Sequence, residues 1–228
     1  MTRSEAPIAP VAQPKQQWLR WADVPQEVHE VAAQGPGFLE IFAGTARLTD
    51  AVRQMGIPCL PPIDVMISQH VQDPFDVLDA DRWTFIMQLV QMGAIFFVHC
   101  GTPCNTFSAA RKADGGPPPL RSPACPEGLP ALSGSNWFLA QIGNLFVDRT
   151  VEVCLGVAEM GGDFSIENPE KSLIWSTRGI QRLLRCARAW LIHFDQCAWG
   201  APSMKPTSLC DSCGFLASAQ ALPGSSRS

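Results

Sequence analysis

Short apolar runs alternate with stretches of helical period along residues 35–210. Residues 38–42 read as a strand entered from a Gly35-Pro36-Gly37 turn. Beyond the small residues Ala43-Gly44-Thr45-Ala46, the apolar positions Leu48, Val52 and Met55 recur at helical spacing. Residues 56–64 read as a second, proline-marked strand ending on Asp64, and residues 75–79 as a short third strand with acids at its end. Residues 81–92 fit a helix with Phe85, Leu89 and Met92 on one stripe, and residues 94–99 a fourth strand. Residues 137–160 hold helical spacing through Phe138, Ile142, Leu145, Phe146 and Val153, closed by Gly161-Gly162. Residues 164–166 form a short strand followed at once by Glu167-Asn168-Pro169. A helix over 173–189, a strand over 191–194, a turn at Trp199-Gly200-Ala201-Pro202 and a last strand over 205–209 complete the pattern.

Strands alternating with helices predict an α/β fold with a mostly parallel sheet and helices on both faces. Residues 1–34 read as a flexible segment with a possible helix from Trp18 to Ala33, its Trp18, Trp21 and Val28 near one face and Pro25 interrupting it. Residues 35–210 form the folded domain, and residues 211–228 a frayed tail. Residues 112–135 show no period. A structureless loop of this length within a compact domain is usually a functional lid or disordered. Its place just after Cys104 favours the lid, and Arg111, Lys112 and Arg121 would give it a positive surface.

The chain has 228 residues, of which 46% are hydrophobic, enough for one sizeable core. Its net charge of −4 means that any nucleic-acid contact must rest on a local basic patch. The arginines Arg178, Arg182, Arg185 and Arg188 are read first as a solvated helix face and second as a phosphate-contacting one. Nine cysteines, an odd number without a disulfide-like framework, point to reduced thiols. The N-terminus shows no apolar signal core, and no run reaches the roughly 18–20 apolar residues of a membrane span. These features predict an intracellular protein, nuclear or cytoplasmic, away from membranes. Cys210-x-x-Cys213 supplies only two of the four ligands of a structural zinc, so no metal is expected.

Special residues fall at strand ends, where ligands of open α/β sheets bind. Phe42-Ala43-Gly44 leads into a helix whose N-terminus offers free amides. Asp64 stands 20 residues after Gly44, the separation at which an acid in dinucleotide folds binds ribose hydroxyls; a helix cap or surface acid is the equal alternative. Cys104 follows a strand and a Gly101-Thr102-Pro103 turn. A cysteine taken alone is more often a packing residue than a nucleophile.

On these motifs the chain resembles the cytosine-C5 DNA methyltransferases. Phe42-Ala43-Gly44 is similar to the family's first cofactor motif, and Pro103-Cys104-Asn105-Thr106-Phe107-Ser108 to its Pro-Cys-Gln with a nearby Phe-Ser. Glu167-Asn168-Pro169 is similar to its Glu-Asn-Val, Gly143-Asn144-Leu145-Phe146 to its Gly-Thr-Leu segment, and Trp199-Gly200-Ala201-Pro202 to its Tyr-Gly-Val-Pro. Order and spacing agree over residues 38–209. The departures are Asn105 in place of Gln, and Ser203-Met204-Lys205-Pro206-Thr207 where the family has Gln-x-Arg-x-Arg.

The resemblance implies a Rossmann-like, S-adenosylmethionine-dependent methyltransferase fold. It implies a cofactor site at Phe42, Ala43, Gly44, Thr45, Asp64, Asp76, Asn144 and Leu145, with Asp64 on the ribose and Asp76 or Asp79 on the adenine amino group. Cys104 would add as thiolate to C6 of cytosine, and Glu167 would protonate N3, its proton held by burial. Lys205 would stand in for an arginine as a point charge without the planar fork. The substrate implied is cytosine in DNA, or less readily RNA, flipped out of its stack. Residues 210–228 carry no counterpart of the family's target-recognition region, which implies either a second chain supplying recognition or a non-catalytic, cofactor-binding remnant. A thiol hydrolase built on Cys104 and His99 is a further alternative, although His99 should point into the sheet.

Overall fold

The structure is a computed structural model that describes residues 26–66, 74–108, 111, 116–199 and 204–213. Trp18, Trp21, Pro25, Lys112 and residues 200–203 lie outside them, and with them most of the expected N-terminal helix and the Trp199–Pro202 turn. Five strands form one open mixed sheet: β1 (Gly37–Ile41), β2 (Ile95–Cys100), β3 (Asp163–Pro169), β4 (Trp190–Asp195) and β5 (Pro206–Asp211), in the order β1-β2-β3-β5-β4. β1, β2 and β3 are parallel, and β5 runs antiparallel to both β3 and β4. The helices are α1 (Gln26–Ala33), α2 (Arg47–Gln54), α3 (Ala80–Gln91), α4 (Gly134–Glu159) and α5 (Arg178–Cys186). The chain is therefore α/β, as its alternation predicts.

Period-two alternation assigns the sheet faces. Leu39, Ile41, Val98, Cys100, Phe164, Ile166 and Cys210 belong to one core cluster with Val147, Val153, Cys154 and Val157 of α4. α4 lies against β2 and β3, with α3 and α5 as neighbours. Glu40 alternates with Leu39 and Ile41, and Thr49 of α2 binds it there. Among the described residues no helix is long and apolar enough to cross a membrane, and no group of three or more His, Cys, Asp and Glu is placed to hold a metal.

Several expected elements differ. Residues 56–64 form no strand; the segment follows the free edge of β1 through isolated bridges at Cys59 and Ile63. Pro58, Pro61 and Pro62 have no N–H to give a continuous ladder, so bonding is confined to the residues between them, such as Leu60 N–H to Phe38 O (2.9 Å) and Ile63 N–H to Glu40 O (2.8 Å). Residues 75–79 are a turn: Asp76 accepts from Leu78 N–H, and Asp79 caps α3 by accepting from the Asp81 and Arg82 amides. Glu167-Asn168-Pro169 lies inside β3, because β5 pairs with it through Glu167–Leu209, Asn168–Ser208 and Pro169–Thr207. Residues 173–189 divide into a 3₁₀ turn, Leu173–Ser176, and α5. The buried stripes also shift: α3 buries Trp83, Ile86, Leu89 and Val90 while Met92 is exposed, and α4 exposes Phe138 and Leu145. On α2, Leu48 and Met55 are exposed, and Thr49 is the residue it buries.

Candidate functional site

The turn after β1 is built from unusual backbone. Phe42 (φ 58°), Gly44 (φ 55°) and Ala46 (φ 54°) all take left-handed conformations. For the two non-glycine residues this costs energy that the surroundings must repay, a situation concentrated at ligand sites. Ala43 N–H donates to Ile63 O (3.1 Å), and Gly44 N–H donates to Asp64 Oδ2 (2.8 Å). Asp64 Oδ1 accepts from Met66 N–H (2.8 Å), so this carboxylate is oriented by two backbone amides. Ala46 precedes α2 with no capping side chain. Glu40 does that work from β1: its Oε2 accepts from the Thr49 amide (2.8 Å) and hydroxyl (2.5 Å). Burial holds the Glu40 carboxyl above its ordinary 4.5 against those bonds, with the Asp64 charge adding in the same direction.

A pocket of about 230 Å³ opens beside this turn. Its walls come from the β1 exit (Phe42), the edge segment (Ile63, Asp64, Val65, Met66), the turn before α3 (Phe75, Asp76, Val77), the β2 exit (Gly101, Pro103) and α4 (Phe146). Phe42 and Phe146 meet edge to face, with centroids 5.4 Å apart. Among the described residues two carboxylates and no cation line the pocket, which suits a ligand rich in hydroxyl and amino donors. Gly101 permits the close crossing of the β1 and β2 exits, since a Cβ there would stand 2.9 Å from Phe42 O.

Cys104 follows Pro103 at the pocket wall and is partly buried. Bonds from elsewhere in the chain hold the residues around it. Asn168 Nδ2 donates to Thr102 O (2.7 Å), Arg111 Nη1 to Asn105 O (3.3 Å), Arg121 Nη2 to Thr106 Oγ1 (3.2 Å), and Leu173 N–H to Phe107 O (3.0 Å). Phe107 N–H closes the turn onto Cys104 O (2.9 Å). Glu167 lies on the neighbouring strand, one residue past the Cys100–Ile166 pair. Its Oε1 accepts from Lys205 Nζ (3.2 Å) and Gln196 Nε2 (3.4 Å). The Glu167 side chain is 27% exposed and ion-paired, in place of the deep burial expected for it.

The structure thus brings Phe42, Asp64 and Asp76 to one pocket, and Glu167 and Lys205 to one ion pair. Ala43 and Gly44 form the adjoining turn, and Thr45 is exposed on it. Asn144 and Leu145 do not line the pocket. Asn144 accepts from Arg121 Nη1 (2.6 Å) and donates to Glu127 O (2.9 Å), Leu145 is exposed, and Phe146 takes the wall position. Arg121 is buried rather than on a positive lid surface, and the described part of the 112–135 loop packs onto α4 through it. Arg178, Arg182, Arg185 and Arg188 are exposed, with Arg178 near Glu127.

His99 does not serve Cys104. Its Nδ1 bonds Ser165 Oγ (2.8 Å) across the sheet, and burial pushes the imidazole down to about 4. Cys210 is fully buried, and Cys213 is exposed with its thiol 3.1 Å from Asp211 Oδ1. Sequence reasoning missed Glu40, Gly101 and Arg121 as site-building residues. The absence of a capping side chain at Ala46 was the one signal for a partner such as Glu40. No known family model matches this chain, and no curated protein matches it.

Proposed function

We propose that this chain is a methyltransferase that moves a methyl group from S-adenosylmethionine to C5 of cytosine in DNA. The observation that carries the reading is the convergence at the pocket. An oriented carboxylate, Asp64, and a second, Asp76, share it with an aromatic wall, and Pro103, the residue before Cys104, lines it as well. The parallel strands β1 and β2 end there, where the Rossmann-like fold of this reading carries its ligands. Asp64 would accept from the ribose hydroxyls and Asp76 from the adenine amino group, with the adenine against Phe42.

In this reading the Cys104 thiolate adds to C6 of a flipped cytosine, and Glu167 delivers a proton to N3. S-adenosylmethionine, when bound, would supply the methyl group to C5. A base would remove the C5 proton, the electron pair would return to expel the Cys104 thiolate, and N3 would give its proton back to Glu167. Lys205 donates to Glu167 Oε1 and would have to leave that oxygen before the oxygen could carry the proton, remaining nearby as a positive charge. A second reading, a non-catalytic cofactor-binding module, is favoured by one observation. Glu167 Oε1 is engaged by two donors, so the acid must be freed as substrate enters.

Calorimetric titration with S-adenosylmethionine tests the cofactor site. The proposal expects binding that weakens at least tenfold in Asp64→Ala, about 1.4 kcal/mol or more. A folded wild-type chain that binds none would refute it.

A further inference from the structure

We propose that Arg121 is a positioning residue that holds the Cys104 turn in its attacking placement; this rests on the reading of Cys104 as the nucleophile. Arg121 is only 4% exposed, although it sits in a loop of prolines and small residues. No salt bridge to a carboxylate accompanies its burial among the described residues. Four neutral acceptors surround the guanidinium instead. Nη1 donates to Pro126 O (2.7 Å) and Asn144 Oδ1 (2.6 Å), and Nη2 to Ala140 O (2.7 Å) and Thr106 Oγ1 (3.2 Å). Its plane covers the Phe107 ring, with Cζ 3.7 Å from the centroid. Nε is buried without a hydrogen-bond partner.

Burying a cation outside a salt bridge is costly, and here burial pulls the guanidinium down to about 10 from its ordinary 12.5, with the Glu127 charge opposing the shift. An apolar side chain would anchor a loop to a helix without that cost. What a guanidinium adds is a planar fork whose donors point in fixed directions and whose face stacks on an aromatic ring. The fork joins three separate pieces: the Cys104 turn through Thr106 and Phe107, the packed loop through Pro126, and α4 through Ala140 and Asn144. α4 makes room for it at Gly143, where a Cβ would collide with Thr106 Oγ1 and stand 2.7 Å from Arg121 Nη2. The clamp is therefore built from both sides onto the two residues that follow Asn105. None of the pocket-lining residues bonds Arg121, so cofactor binding and thiol placement are separable.

The test compares wild type, Arg121→Lys and Thr106→Val in single-turnover trapping on a DNA duplex carrying 5-fluorocytosine, beside S-adenosylmethionine affinity and thermal melting. Lysine keeps the charge and loses the fork. Valine keeps the buried guanidinium, its α4 bonds and its stack on Phe107 and removes only the Thr106 bond to the turn, so it carries the test if the lysine variant does not fold. Misplacement of a reacting group by about 1 Å costs on the order of 100-fold in rate. The expected result is a fall in trapping rate of that order for Arg121→Lys and a smaller fall for Thr106→Val, with cofactor affinity unchanged. Trapping at the wild-type rate in both folded variants would overturn the positioning role while leaving Cys104 as nucleophile. Parallel losses of cofactor affinity, melting temperature and trapping would overturn it in favour of a purely structural anchor. A wild-type chain that binds cofactor and traps nothing would remove the nucleophile reading, and the positioning role with it.

Discussion

Asn168 of β3 donates its side-chain amide to the carbonyl of Thr102 at 2.7 Å, and both residues are almost wholly buried. The bond fastens the strand that carries Glu167 to the turn that carries Cys104. Parallel pairing of β2 and β3 brings these segments side by side, but it ends at the Cys100–Ile166 pair. Beyond that point the side chain replaces the ladder. Thr102 is held from the other side as well, its hydroxyl 2.8 Å from that of Thr150 on α4.

Asn168→Ala should therefore loosen the turn from inside. It strands the buried Thr102 carbonyl, at a cost of about 1–3 kcal/mol. The Oδ1 atom of Asn168 is buried with no hydrogen-bond partner among the described residues, so its removal offsets part of that cost. Urea unfolding should show a lower midpoint with an unchanged m-value. A wild-type midpoint would mean the bond contributes nothing.

Acid should destabilise the protein through His99. Burial depresses its imidazole to about 4 from the ordinary 6.5, so the unfolded chain binds the extra proton first as pH falls. The contribution is fully present above 6.5 and is lost as pH drops toward 4. Its size is roughly 2–3 kcal/mol after allowance for partial exposure. Glu40, facing His99 across β1 and β2, acts in the opposite sense. Its carboxyl is held above 4.5 by burial, so its contribution is lost as pH rises past that value. Comparing wild type with His99→Gln removes that shared background. The difference between the two unfolding free energies should change between pH 7 and pH 4.5, wild type losing more; parallel curves would count against a buried neutral His99.

Gly101→Ala should damage the pocket and the fold together. The new Cβ would stand 2.9 Å from the Phe42 carbonyl, and the Gly101 amide is already tied to Ile41 O at 3.0 Å. Backbone on both sides leaves little to yield, so overpacking should cost about 1–3 kcal/mol. Phe42, with its φ of 58°, is the residue displaced, and it lines the pocket. Lower melting and weaker S-adenosylmethionine binding should appear in the same variant. A variant that melts normally would show that the two strand exits can separate freely.

Much of the fold is legible in the sequence, because strands, turns and helices announce themselves by period and punctuation. β2, α4 and β5 fall within a few residues of their expected places. The misread segments share a physical cause, which is that distant partners decide them. Glu167-Asn168-Pro169 reads as a turn by composition, yet β5 pairs with it and extends β3. Residues 56–64 have strand composition but prolines where amides would be needed, so they remain an edge with isolated bridges. Phe138 and Leu145 keep helical spacing but face outward, since α4 buries Ala140, Gly143, Val147 and Val151 instead.

The site divides in the same way. Asp64 is recognisable by its place 20 residues after Gly44, and Phe42 and Asp76 by the family resemblance, although the strands expected to end at the two acids do not form. Arg121 is not, because a loop arginine reads as surface until Thr106, Ala140, Asn144 and Phe107 are seen around it. The expected roles of Asn144 and Leu145 fail to reach the pocket for a helical reason. One residue is about 100° of turn, and it is Phe146 that points inward.

The most direct measurement is covalent capture of the full chain on a DNA duplex containing 5-fluorocytosine, with S-adenosylmethionine present, located by peptide mass spectrometry. Fluorine at C5 cannot leave as a proton does, so a nucleophile that has added at C6 stays bonded. The account predicts one adduct, on Cys104, that disappears in Cys104→Ala while cofactor binding persists. An adduct that survives in Cys104→Ala, or none from a wild-type chain that binds the cofactor, would contradict it.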